Sequence, residues 1–168
     1  MSNVRRHEIP VTDTVELLSD WPQPGTGNAG PIIHYGQGPL RLAYETPEEE
    51  VVVVTIPLCL QIICGHPNDE ALQGHQLYDK GLKFYSVHRI GNSSRLAAME
   101  RANAVHPGHD PASYLKNKAH WVFTFQDCTV EVLALVLESN HPSFTICHSW
   151  NEANAILARG DEVGKPIA

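Results

Sequence analysis

Over most of the chain, apolar positions alternate with polar ones instead of recurring at helical spacing. The strongest signal is the run over residues 51–64. There Val52, Val54, Ile56, Leu58, Leu60 and Ile62 are uniformly apolar on one parity, while Thr55, Cys59 and Gln61 fall on the other. With a side-chain period of two, one face of this strand meets a core and the other something partly polar. Pro57 cannot donate to a ladder, so it marks a bend or bulge within the run. Further strands are predicted over 40–46, 82–90 and 143–148. A hairpin joins 120–126 to 129–138 through Asp127-Cys128. That turn sets Gln126 opposite Thr129 and Thr124 opposite Glu131. Trp121, Phe123, Phe125, Val130, Val132 and Ala134 then share an apolar face. His120, Val122, Thr124, Gln126, Thr129 and Glu131 share the other.

Helical spacing is confined to short stretches. Residues 12–21 are expected to form a helix with Val15, Leu17 and Leu18 as contacts and Thr12 or Asp13 as cap. One turn is expected over 68–73. The clearest helix is 93–105, capped by Ser93 or Ser94, with Leu96, Met99 and Ala102 as its stripe, stopping before Pro107-Gly108. Shorter helices are expected over 111–118 and over 151–159, the last capped by Asn151 and stopped by Gly160. Nine of the residues from 20 to 39 are Gly or Pro, which reads as an irregular covering segment or an active-site loop. Its Gly25-x-Gly27-x-x-Gly30 spacing is not a dinucleotide motif, because no strand precedes it and Pro31 follows it. Helices interrupt the strands without alternating with them, which disfavours a parallel doubly wound sheet. The expectation is one α+β domain spanning residues 1–168, with a mainly antiparallel sheet of about six strands and two to four short helices.

Composition narrows the function. At 168 residues, 42% hydrophobic and 18% charged, the chain suits one globular core. A formal charge of -7 without a basic cluster argues against nucleic acid as a partner. No stretch reads as a secretory leader or a bilayer span, so a cytoplasmic location with no membrane partner is expected. A small-molecule ligand and a second copy of the chain (a homo-oligomer) are the remaining candidate partners. Cys59, Cys64, Cys128 and Cys147 lack the spacing of a zinc knuckle or disulfide framework, and most of them read as small buried hydrophobes.

Six of the ten histidines lie between residues 66 and 120: His66, His75, His88, His106, His109 and His120. Imidazole serves both proton transfer near neutral pH and metal ligation, so this segment is where chemistry is sought. His106, His109 and His120 form a candidate site for a divalent transition metal such as zinc or iron, with Asp110 as a nearby carboxylate. The competing reading makes His106 a helix end and His109 surface loop. For metal-free acid–base chemistry the candidates are His75, His120, Glu131 and Asp69, held on loops and on the polar face of the hairpin. Covalent catalysis is disfavoured: Ser93 and Ser94 read as helix caps, no strand–elbow serine motif is present, and Cys128 lies far from His120 along the strand. The function expected is a small enzyme acting on a small polar molecule by histidine-based acid–base chemistry, metal-assisted in one version. The alternative is a non-catalytic small-molecule-binding or protein-interaction domain.

Overall fold

The computed structural model describes residues 12–159. Among them are nine strands: β1 (Thr14–Leu17), β2 (Ile32–His34), β3 (Leu40–Glu45), β4 (Val51–Ile56), β5 (Cys59–Gly65), β6 (Val87–Gly91), β7 (Lys118–Thr124), β8 (Thr129–Leu135) and β9 (Ser143–Cys147). Three α-helices, α1 (Ser94–Asn103), α2 (Pro111–Leu115) and α3 (Trp150–Ala158), accompany two 3₁₀ turns at Asp69–Gly74 and Tyr78–Lys80. The strands form two antiparallel sheets, ordered β1-β6-β7-β8-β5 and β2-β3-β4-β9. The chain is thus α+β and mainly antiparallel. None of the described helices is long and apolar enough to cross a membrane.

Three strands beyond the expected six have physical reasons. The stretch taken for a helix over 12–21 is instead β1, paired with β6 from Thr14↔Gly91 to Leu17↔His88. Thr14 and Val15 are β-branched, and an available sheet edge outweighs three apolar residues with no second helical turn. β2 emerges from the Gly/Pro-rich segment. The run over 51–64 splits at Pro57-Leu58, so that β4 belongs to one sheet and β5 to the other.

The central core lies between the sheets. Leu40, Leu42, Tyr44, Val52, Val54 and Ile56 from one sheet meet Val87, Trp121, Phe123, Val130, Val132 and Ala134 from the other. Tyr44 packs edge-on against Phe125 with ring centroids 5.5 Å apart. The opposite parity of β4, Val51 and Val53, packs with Ala153 and Leu157 of α3. Ser149, not Asn151, caps α3 by accepting the Glu152 amide. The outer face of the five-stranded sheet is covered in turn by Leu72, Leu77 and Leu82, which close over Ile90 and Val122. The hairpin's second face is therefore buried beneath a thin layer, and that is where the polar residues sit.

Asp13 ties this layer to the sheet. Its Oδ1 accepts the Ser94 amide at 2.6 Å and its Oδ2 pairs with Lys80 Nζ at 2.8 Å. Burial alone would push the Asp13 carboxyl up, but Lys80 and the Ser94 amide outweigh this and hold it below its ordinary value. Replacing Asp13 with alanine leaves the amide and the ammonium unpaired. The expected loss is about 1–3 kcal/mol in urea denaturation. A change under about 0.5 kcal/mol would show that the tie contributes little.

Candidate functional site

β7 and β8 pair with Thr124 opposite Thr129 and Val122 opposite Glu131. The turn therefore spans four residues, closed by the Phe125 amide donating to the Cys128 carbonyl at 2.9 Å. Relative to the two-residue turn expected from sequence, the register is shifted by two. Such a shift preserves the face of every side chain but changes its neighbours. His120 now faces Leu133, and Glu131 becomes its diagonal neighbour on the buried outer face.

Glu131 is 3% exposed and is surrounded by donors. Arg95 of α1 binds it with both ends of its guanidinium: Nε donates to Oε2, and Nη2 donates to Oε1 at 2.6 Å. His120 Nε2 lies 3.0 Å from Oε2. His75, which follows the first 3₁₀ turn, brings its Nε2 to 3.4 Å from Oε1. Burial by itself would push the Glu131 carboxyl up. Hydrogen bonding from His120, His75 and Arg95, with the guanidinium charge, reverses that and holds it far below the usual carboxylate range.

An ionised Glu131 can only accept, and this fixes both imidazole tautomers. His120 carries a proton on Nε2, and in the neutral ring Nδ1 is then an acceptor. Ser93 Oγ lies 2.8 Å from that Nδ1 and also accepts the Leu96 amide; toward a neutral ring its hydroxyl hydrogen is directed to the imidazole. His75 Nδ1 accepts the Leu77 amide at 3.2 Å, so its proton is likewise on Nε2. The result is a continuous line: Ser93 hydroxyl, His120 imidazole, Glu131 carboxylate, with Arg95 and His75 holding the far end.

Two openings reach this line. A groove of about 410 Å³, bordered by Cys64, His66, His75, Arg95, Thr129 and Glu131, exposes the carboxylate end. A cleft of about 620 Å³, bordered by Thr12, Arg89, Ser93, Leu96, Leu115 and Lys118, reaches the serine end. Residues 20–39 border neither: Asn28 and Ala29 carbonyls instead accept the Gln126 and Asp127 amides at the hairpin turn.

Of the residues singled out from sequence, the structure brings His75, His120 and Glu131 together and leaves Asp69 elsewhere. The Asp69 carboxylate accepts the Tyr85 hydroxyl. His106 and His109 do not join His120. His106 Nδ1 accepts the Gly108 amide just past α1. His109 Nε2 pairs with Glu100 at 2.6 Å, and its Nδ1 lies 3.1 Å from Asn103. Among the described residues no three His, Cys, Asp or Glu side chains are grouped to hold a metal ion. At Glu131 the two imidazoles approach one carboxylate, but Arg95 already occupies it, and a metal would have to displace that cation. The Cys128 thiol is pushed up to about 12 by burial and the neighbouring Cys64, which leaves it a poor nucleophile.

Ser93 and Arg95 are what sequence reading missed. Ser93 is the helix cap expected of it, but nothing in its local pattern announces a partner 27 residues away. Arg95 sits on the first turn of a helix otherwise read for its apolar stripe, of which only Leu96 is buried.

No protein-family model matches the chain, and neither curated proteins nor solved structures show a significant similarity to it, so the site is read from its own chemistry.

Proposed function

We propose that the protein is a small enzyme acting on a small polar molecule by acid–base chemistry, with His120 as the proton-transferring group. One observation carries the reading: a buried carboxylate lies 3.0 Å from one ring nitrogen of His120, and the ring's other nitrogen lies 2.8 Å from a hydroxyl at the wall of a cleft. A base fixed in one tautomer by a carboxylate can take up a proton and be stabilised as imidazolium. Arg95 and His75 keep that carboxylate ionised and in place. They are positioning residues, and no metal is needed for this step.

A second reading is favoured by a different fact: each ring nitrogen of His75 and His120 already has a neighbour within the protein. On that reading the centre is a rigid support, and the groove beside Arg95 and His66 only binds. The test is to incubate the full chain and a His120→Gln variant with a mixture of small polar metabolites and follow each compound by mass spectrometry. The enzyme reading expects at least one compound to be consumed, about 100-fold more slowly by the variant, with little change in the variant's cooperative melt. Consumption at equal rates by both proteins, or by neither, would overturn it.

A further inference from the structure

The cleft at the serine end differs from the rest of the molecule. The chain carries a formal charge of -7, yet among the described residues no acidic side chain borders this cleft, while Arg89 and Lys118 do. The Lys118 ammonium lies 3.9 Å from the centroid of the Tyr114 ring and donates to the Tyr114 carbonyl. The Arg89 guanidinium lies 5.9 Å from the centroid of the Trp121 ring. Among the described residues Lys118 makes no ion pair with a carboxylate, which leaves its charge available to a ligand; Arg89 lies over the core-facing Trp121, opposite Glu16 across the β1–β6 pair. Ser93 stands at the same wall, between β6 and α1. It follows Asn92, whose φ of 48° lies in the left-handed region. A residue held there turns the chain sharply from strand to helix.

We propose that Ser93 is a nucleophile for acyl transfer, and that its substrate is a small ester carrying an anionic group that Lys118 receives. The proposal rests on His120 acting as the base. The Ser93 oxygen forms a bond to the acyl carbon while its proton passes to His120 Nδ1. The ester's C–O bond then breaks and the departing alcohol takes that proton. Water next attacks the acyl carbon, giving its proton to Nδ1, and the Ser93–acyl bond breaks. The proton returns to Ser93 Oγ and a carboxylic acid leaves. Glu131 faces the opposite nitrogen throughout and stabilises the imidazolium. The ring is used in the reverse sense from the familiar serine hydrolase arrangement, with Nδ1 toward the hydroxyl and Nε2 toward the carboxylate. The proton ledger is the same.

The test uses the full chain and a biotinylated fluorophosphonate, with peptide mapping by mass spectrometry. The expected result is a single adduct on Ser93, formed at least about 10-fold more slowly in His120→Gln. Glycine is tolerated at helix N-caps, so Ser93→Gly gives a folded protein without the hydroxyl. It is expected neither to label nor to hydrolyse p-nitrophenyl hemisuccinate. Absence of an adduct on folded wild-type chain overturns the nucleophile. If His120→Gln still loses turnover of some other compound, the acid–base reading survives that outcome. For the anionic group, Lys118→Gln is expected to raise KM for p-nitrophenyl hemisuccinate about 10-fold more than KM for p-nitrophenyl acetate, a difference equivalent to about 1.4 kcal/mol. Equal effects on the two esters overturn that assignment.

Discussion

Replacing Glu131 with alanine is expected to lower the stability of the folded chain by about 3–5 kcal/mol, the range for removing one partner of a buried ionic cluster. The substitution does more than remove a side chain. It leaves the Arg95 guanidinium facing a pocket that no longer holds its counter-charge, and it leaves two imidazole N–H groups without acceptors in a region almost closed to water. Arg95 is about one-third exposed and can turn toward solvent, whereas His120, at 1% exposure, cannot. The loss should therefore divide unevenly. Truncating Arg95 in the Glu131→Ala background recovers part of the stability, and truncating His120 recovers more. A double-mutant cycle by urea denaturation at neutral pH measures both couplings. A single-variant loss below about 1 kcal/mol would mean that the cluster is nearly balanced by its own desolvation.

The second large effect is on pH. His88 is fully buried on β6, where its Nε2 accepts the Lys83 amide. Burial, aided by the charge of Lys83, lowers it from 6.5 to about 4. Its charged form is therefore disfavoured in the folded state, and between those two values the unfolded chain binds the extra proton. Stability attributable to His88 is complete above about pH 6.5 and is lost as pH falls toward 4, by about 3 kcal/mol in total. Glu131 acts in the same direction over a lower range. Its folded value is depressed, so its contribution is present above the unfolded value of 4.5 and disappears as pH falls through the folded one. Acid unfolding should show two successive segments. His88→Gln, which keeps an acceptor for the Lys83 amide, is expected to flatten the upper segment and leave the lower one. Stability curves that remain parallel between pH 4 and 6.5 for wild type and variant would refute the assignment.

The faces of the hairpin were legible in the sequence because parity is a property of consecutive residues. Trp121, Phe123, Val130 and Val132 do face the core, and His120 and Glu131 do share the other side. What the pattern could not supply was register. Under a two-residue turn His120 would stand opposite residue 135, with Glu131 about 13 Å away along the strand. The four-residue turn moves Glu131 to within 3.0 Å. The turn is held by backbone bonds such as those that the Gln126 and Asp127 amides donate to the Asn28 and Ala29 carbonyls, and these acceptors lie in a segment nearly a hundred residues earlier. The same limit hid β1, whose strand character comes from an edge offered by β6. It also hid Ser93 and Arg95, whose meaning depends on what the helix is laid against. Three of the four acid–base candidates converge because the sheet carries them to one place. Asp69 does not, because the 3₁₀ turn it begins points it toward Tyr85.

The passage of the chain from β4 into β5 through two residues has a consequence for motion. The two sheets are joined there by a tether too short to let one swing away from the other. Separating them would expose the aromatic core and amounts to unfolding the molecule. The layer over the outer face is different: it is built from short 3₁₀ turns held by three leucines and by a few long-range bonds, Lys80 to Asp13 and the Asp69 amide to the Gln126 carbonyl among them. On the proposed function, a ligand would reach His75 and Glu131 through the groove beside that thin cover. Opening of that cover would then be a local event with the sandwich beneath still closed, distinct from unfolding of the chain.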